Sequence, residues 1–156
     1  MGRKAVRVFG GVIAAAALMA GAAPAQEVTG TAAVRSGNRI AVGDTVVRLY
    51  GLAAPEPSAR CDSGEGQFQC GIVAWAELIL LADGKPLSCD VEGETGQGEV
   101  TATCYVGERD INEALVRSGW AEATVDSERY LVDQEDARRA RRGIWAARVR
   151  PPDRRQ

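Results

Sequence analysis

The sequence predicts an α+β fold: a five-stranded β-barrel of the OB type with about three helices. Short apolar and β-branched stretches alternate with small-residue turns, then with segments whose apolar residues recur at helical spacing. Their order is three strands, one helix, two strands and two helices, which is the order of an OB-type barrel with helical additions. A length of 156 residues provides one domain with a modest core and is too short for two.

The first element is not part of the barrel. Residues 1–25 have a basic start, an apolar run from Val8 to about Ala22 and the small-residue pattern Ala23-Pro24-Ala25, which is typical of a cleaved signal peptide. The apolar run is shorter than the roughly 20 residues that span a membrane. We therefore expect a signal peptide over 1–25, a periplasmic or secreted domain over 26–147 without a transmembrane segment, and a basic tail over 148–156.

The barrel strands follow. Three strands are predicted for Val28 to Val34, Arg39 to Val42 and Thr45 to Leu52, with turns at Ser36-Gly37-Asn38 and Gly43-Asp44. Residues 53–70 are rich in Pro, Ser and Gly and predict a loop, which a disulfide between Cys61 and Cys70 would hold in place. Two further strands are predicted for Leu87 to Val91 and Glu99 to Val106.

Three helices complete the prediction. Residues 71–82 are apolar nearly all round, which predicts a buried helix that ends before Gly84 and Pro86. Asp110 and Glu113 form a capping-box-like start for a short helix that stops at Gly119. Tyr130, Ala137, Ala140 and Ile144 predict a final helix whose other face carries arginines.

The four cysteines favour two disulfides over a zinc site. They stand at 61, 70, 89 and 104, the chain has no C-x-x-C pair, and it contains no His. A hairpin turn centred near Gly96 and Gln97 would place Cys89 opposite Cys104, where a cross-strand bridge is plausible. The lack of His also excludes Ser-His-Asp and Cys-His catalysis.

Charge separates the chain into an acidic body and a basic end. The net charge is −2 and becomes about −5 once the three basic residues of the leader are removed. From Arg138 onward there are eight Arg and one acid. An acidic body makes nucleic acid an unlikely partner, while the Arg-rich C-terminus is either a solvated face or an anchor for an anionic envelope component.

Three motifs carry a resemblance to a known family. They are Val47-Arg48-Leu49-Tyr50-Gly51-Leu52-Ala53-Ala54-Pro55-Glu56, Asn112-Glu113-Ala114-Leu115-Val116-Arg117-Ser118-Gly119-Trp120-Ala121, and Glu135 and Ala137 followed by Arg142-Gly143-Ile144-Trp145. Together, and in this order, they resemble the staphylococcal nuclease family. The cysteine positions are similar to those of exported bacterial members, some of which are named for succinoglycan biosynthesis, and imply the pairs Cys61–Cys70 and Cys89–Cys104.

The resemblance implies a phosphodiesterase site in which carboxylates hold Ca²⁺, a glutamate acts on the attacking water and two arginines stabilise charge on the phosphate. Arg48 matches the first arginine and Glu56 matches the glutamate. The remaining positions are altered. Ser36-Gly37-Asn38-Arg39 stands in place of D-G-D-T, Ala53 replaces the second Asp ligand, and Glu99 falls where the second arginine belongs.

These changes predict a catalytically degenerate module that serves for binding or as a scaffold in the cell envelope and binds no cofactor. The alternatives are a phosphodiesterase that uses Ca²⁺ at an atypical metal site and, from the naming of similar members, an accessory protein of exopolysaccharide biosynthesis. Two rival metal sites use Gly43-Asp44-Thr45, or a loop cluster of Asp62, Glu65, Glu92 and Glu94. Arg48 and Glu56 could instead form a structural ion pair. Trp75 and Trp120 are interpreted as core residues.

Overall fold

The computed structural model describes residues 26–63 and 66–146, so the predicted leader and tail, 1–25 and 148–156, lie outside the described residues. The strands are β1 Glu27–Ser36, β2 Arg39–Val42, β3 Thr45–Leu49, β4 Leu52–Ala53, β5 Cys61–Ser63, β6 Gly66–Phe68, β7 Pro86–Glu94, β8 Val100–Val106, β9 Arg109–Asp110 and β10 Glu122–Ala123. The α-helices are α1 Cys70–Ala82, α2 Ile111–Arg117 and α3 Leu131–Arg139, and two 3₁₀ turns cover Glu128–Tyr130 and Gly143–Ala146.

Five of these strands form the predicted closed barrel. They are hydrogen-bonded in the order β3-β2-β1-β7-β8, and a parallel pairing of β3 with β8 closes the circle. The closing pair joins Val47 to Val100 and Leu49 to Ala102. The α+β barrel with helical additions is therefore confirmed, and its interior is filled by alternate residues of each strand, as the pleat requires.

A single amide holds the closing pair together from inside. Asn112, the second residue of α2, is fully buried. Its side-chain oxygen accepts a hydrogen bond from the Cys104 N–H at 3.1 Å, and its NH₂ donates to the Tyr50 and Ala102 carbonyls at 2.9 and 3.2 Å. Because these three backbone groups belong to β8 and to the end of β3, Asn112 ties the parallel seam to α2.

Both disulfides form as the resemblance implies. Cys89 and Cys104 are direct cross-strand partners in β7 and β8 and are bonded to each other in the core. Cys61 and Cys70 join the small β5–β6 hairpin to the first residue of α1. In the chain-entropy model a bridge closing a loop of about 15 residues stabilises by about 3 kcal/mol, so the Cys89–Cys104 bridge is a substantial part of the stability of so small a domain.

The prediction of a buried first helix is wrong. One face of α1 packs on the barrel through Ala74, Leu78 and Leu81, but Leu80 is 72% exposed and Ile72 40% exposed. An apolar sequence predicts that a helix forms, but not how many of its faces other elements cover. In the described part of the chain only one face of α1 is covered. No helix among residues 26–63 and 66–146 is long and apolar enough to cross a membrane.

The predicted final helix is also shorter than expected. α3 ends at Arg139, Arg141 has a positive φ of 50°, and the chain resumes as a 3₁₀ turn that buries Ile144. Ala140, predicted on the apolar face, is exposed. The break lets the Ile144 N–H donate to the Gly119 carbonyl at 2.9 Å, so a tertiary contact replaces one helical turn.

Tyr130 anchors α3 against the barrel. Its ring is buried, and its hydroxyl donates to the Asp110 carboxylate at 3.1 Å while Asp110 also caps α2 through the Glu113 N–H. Burial, followed by the negative charge of Asp110, raises the pKa of the Tyr130 hydroxyl above its ordinary value of 10.0. The folded chain therefore keeps this proton at a pH at which the unfolded chain loses it.

This difference predicts alkaline destabilisation. Above about pH 10 each further pH unit should lower the free energy of unfolding by about 1.4 kcal/mol through Tyr130 alone, because unfolding releases its proton. Tyr130→Phe should be less stable than wild type at pH 8, and the gap should close as pH rises. Urea unfolding from pH 8 to 11 measures this, and two stability curves that stay parallel would contradict it.

Candidate functional site

The candidate site begins as one row of side chains across the barrel wall. Ser36 pairs with Arg39, Arg39 pairs with Arg48, and Arg48 pairs with Thr101 across four adjacent strands. The neighbouring row, Ile40 and Val47, is fully buried in the core. Because successive residues of a strand point to opposite faces, the row with the two arginines lies on the outside of the barrel.

The Glu99 carboxylate lies between the two arginines of this row. Its carboxylate lies 3.2 Å from Arg39 Nε and 3.4 Å from an Arg48 terminal nitrogen, and all three side chains are mostly shielded from solvent. Glu99 enters just before β8, from the loop after β7, and its own N–H is held by the Thr95 hydroxyl. One carboxylate therefore pairs with both arginines.

The loop after β3 carries two other predicted site residues, Ala53 and Glu56. Ala53 lies in the short strand β4, paired with Glu122, and is exposed. Glu56 is exposed, and its side chain has no ion pair or hydrogen-bond partner among the described residues. The alternative of an Arg48–Glu56 ion pair is therefore wrong, because Arg48 is bound by Glu99 instead.

The backbone of this loop is fixed although the Glu56 side chain is free. The Glu56 carbonyl accepts from the Ala59 N–H, and the Ala59 carbonyl accepts from the Gly71 N–H of α1. A Cβ on Gly71 would collide with the Glu56 carbonyl oxygen. Glycine at 71 thus lets the loop lie directly on the start of α1.

The residues at the expected calcium position do not fit a calcium ion. Ser36 presents a buried hydroxyl to which no other described residue is hydrogen-bonded, Asn38 presents a neutral amide, and Ala53 presents a methyl group. Calcium needs six to eight oxygen ligands, with carboxylates among them. In the described part of the chain, no three His, Cys, Asp or Glu side chains converge where they could hold a metal.

Neither rival site brings three His, Cys, Asp or Glu side chains together among the described residues. Gly43 and Asp44 form the two-residue turn between β2 and β3, and Gly43 has a φ of 58°, so the interpretation as a hairpin turn is confirmed. Of the loop cluster, Glu65 lies outside the described residues, and Glu92 accepts a hydrogen bond from the Thr103 hydroxyl.

The role of Arg39 was missed by the sequence interpretation, which recorded it only as a replaced threonine. A signal was present, since a two-residue turn at Gly43-Asp44 places Arg39 directly opposite Arg48. Like charges in that position destabilise a sheet unless a third group lies between them. The need for a carboxylate there could have been inferred, but not its identity.

The two tryptophans differ in their surroundings. Trp120 packs against the core, as predicted. Trp75 is only half-buried, and its buried indole N–H finds no hydrogen-bond acceptor within residues 26–63 and 66–146. A separate cleft of about 500 Å³ borders α1 and α2 and is lined by charged side chains such as Glu77, Arg109 and Glu113. None of the predicted site residues lies in it.

The closed OB-type barrel with its three helices is the architecture of a nuclease-like domain. Comparison with known proteins agrees: residues 46–147 match the family model described as "Staphylococcal nuclease homologue". The chain belongs to this family. It is also 29% identical, over 152 residues, to the succinoglycan biosynthesis protein ExoI of Rhizobium meliloti (strain 1021), an alignment that covers 94% of this chain and 80% of the relative.

Proposed function

We propose that this chain is a non-catalytic member of its family, a nuclease-like barrel that serves as a binding or scaffold module in the cell envelope. The observation that carries the proposal is the position of Glu99 between Arg39 and Arg48. Two arginines whose charge is already paired offer a phosphate little attraction. A phosphate that approached them would also be repelled by the Glu99 carboxylate.

The residues at the expected metal-ligand positions also support a non-catalytic domain. Phosphodiester cleavage in this class needs a divalent ion to polarise the phosphate and to stabilise charge on the leaving oxygen. Ser36, Asn38 and Ala53 carry no charge with which to hold such an ion. The retained Glu56 therefore has no metal-bound phosphate on which to act, and we expect the protein to need no cofactor.

The envelope location rests on the disulfides and the leader pattern. Two disulfides, with no free cysteine among the described residues, are typical of proteins outside the reducing cytoplasm. The similar protein ExoI is named for succinoglycan biosynthesis. We therefore place this chain in the periplasm or outside the cell, with the Arg-rich C-terminus from Arg138 onward as the surface for an anionic envelope component.

The proposal predicts that the wild-type protein lacks nuclease activity and that substitutions at the altered site positions restore it. The oxidised wild-type protein should not cleave DNA above background with added Ca²⁺, whereas the triple variant Asn38→Asp, Ala53→Asp and Glu99→Arg should gain at least about 100-fold, since single charge-stabilising groups contribute that much in hydrolases. Release of acid-soluble nucleotides, with and without a chelator, measures the rate. Adding Arg48→Ala to the triple variant should abolish the gain.

Glu99→Gln is the matched control for the charge argument. It keeps the size of the side chain and removes the negative charge, so both arginines become available to phosphate without any new metal ligand. This variant should bind a nucleoside bisphosphate more tightly than wild type and still fail to cleave DNA. Calcium-dependent cleavage by the wild-type protein, lost in Arg48→Ala, would refute the proposal.

A second candidate function is an accessory role in exopolysaccharide biosynthesis, favoured by the name of the similar protein. It is compatible with the first, because a non-catalytic barrel can serve in an assembly. A deletion strain should make altered or less exopolysaccharide, and both the wild-type gene and the Glu56→Gln variant should restore it. Restoration by wild type alone would indicate that the site retains chemistry.

A further inference from the structure

The outward face of α1 is an apolar surface that the rest of the described chain leaves exposed. Ile72, Val73, Ile79 and Leu80 are 40%, 38%, 38% and 72% exposed, and Ala76 between them is exposed too. These are four of the seven large apolar side chains that are exposed in the described part of the chain. They recur at intervals of three and four residues and therefore form a single stripe along the helix.

The stripe is symmetric about its centre. Ile72 and Val73 lie one turn before Ala76, and Ile79 and Leu80 lie one turn after it. If a second α1 packs antiparallel with the two Ala76 residues facing each other, Ile72 meets Leu80 and Val73 meets Ile79. A small residue at the crossing point lets the helices approach closely. Such a self-complementary patch is what a two-fold interface requires.

Charge favours a second copy over a lipid surface. Helices that lie on membranes carry Lys or Arg along their polar face, whereas Glu77 is the only charged residue of α1. The first turn of α1 also has no acidic residue and no side-chain cap. In the antiparallel arrangement Asp83 of the partner lies beside Gln69, at a helix start that has no acidic residue of its own, where a negative charge is favourable.

We propose that α1 is the contact surface of a homodimer in which two copies pack antiparallel about a two-fold axis at Ala76. A helix of 13 residues is about 20 Å long and 10 Å wide, so this contact is smaller than the roughly 800 Å² per partner of a standard interface. The dimer should therefore be weak, with a dissociation constant in the micromolar range, and should dissociate on dilution.

Sedimentation velocity over a series of concentrations tests the proposal. The oxidised protein should shift from monomer to dimer, and Leu80→Glu should weaken association at least tenfold. Val132→Glu is the matched control, because Val132 in α3 is also 72% exposed and lies outside the stripe. A wild-type protein that stays monomeric at several hundred micromolar would overturn the proposal, as would equal effects of the two substitutions.

Cross-linking tests the axis itself. With a short thiol-reactive linker, Ala76→Cys should cross-link to itself, whereas Ile72→Cys should link efficiently only when it is mixed with Leu80→Cys. Val132→Cys should not cross-link, because position 132 lies outside the proposed contact. If Ala76→Cys does not link at concentrations where the dimer forms, or if Ile72→Cys links to itself as readily as to Leu80→Cys, the antiparallel arrangement is wrong.

Discussion

Replacement of Asn112 by alanine should lower the free energy of unfolding by about 3–5 kcal/mol, a large share of the 5–15 kcal/mol that such a domain has. The change removes three hydrogen bonds, two of them fully buried, and leaves the Cys104 N–H and the Tyr50 carbonyl without this partner. Each buried backbone group left unpaired costs about 1–3 kcal/mol. Urea unfolding of the oxidised protein measures the loss.

Two further variants separate polar loss from cavity formation. Asn112→Leu restores the volume but not the hydrogen bonds, so it should be nearly as destabilising as Asn112→Ala. Asn38→Ala is the matched surface control, because the Asn38 side chain makes no hydrogen bond in the described part of the chain, and it should cost less than about 0.5 kcal/mol. An Asn112→Leu variant as stable as wild type would show that the amide is not needed to hold the seam.

Replacement of Gly71 by alanine should destabilise the protein by about 3 kcal/mol. Helix propensity alone favours alanine over glycine by about 1 kcal/mol at such a position. The added Cβ, however, would overlap the Glu56 carbonyl oxygen and touch the next peptide carbon. Backbone cannot yield as a flexible side chain does, so the clash should outweigh the propensity. Thermal unfolding, with the Cys61–Cys70 bridge intact, gives the sign.

Gly96→Ala is the control for this experiment. Gly96 lies in the turn between β7 and β8, and a Cβ there meets no atom within 4 Å. Its replacement should be neutral or should stabilise slightly, by less than about 1 kcal/mol, through the unfolded chain. If Gly71→Ala proved as stable as Gly96→Ala, the loop that carries Glu56 would have to be less tightly seated on α1 than its hydrogen bonds indicate.

The sequence predicted those parts of the fold that depend on local pattern. Cys89 lies opposite Cys104 as predicted, although an irregularity between Val91 and Gly93 shifts the register of the β7–β8 hairpin by one residue. The turn at Gly43-Asp44 marked the boundary of β2 and β3, whose register is regular. Elements failed where tertiary contacts decide, as at Arg141, where a contact between Ile144 and Gly119 ends the final helix early.

The candidate site was predicted only in part. Local motifs located Arg48, Glu56 and Glu99, but the bond between Arg48 and Glu99 joins residues 51 positions apart in the chain. The periodicity of a sequence does not indicate contacts between residues so far apart. The closure of the barrel brings Arg48 and Glu99 together. The exposed face of α1 was missed because the sequence does not distinguish an apolar residue in the core from one on an exposed surface.

The parallel pairing of β3 with β8 implies an order of folding events. The β7–β8 hairpin is local, so the Cys89–Cys104 bridge can form before the rest of the barrel is in place. Val47 and Val100 must instead find each other across a long stretch of chain, and the Asn112 amide that secures them arrives later still. We therefore expect closure of the barrel between β3 and β8 to be the slow, late step of folding. It acts on a β7–β8 hairpin that the Cys89–Cys104 bridge already holds together.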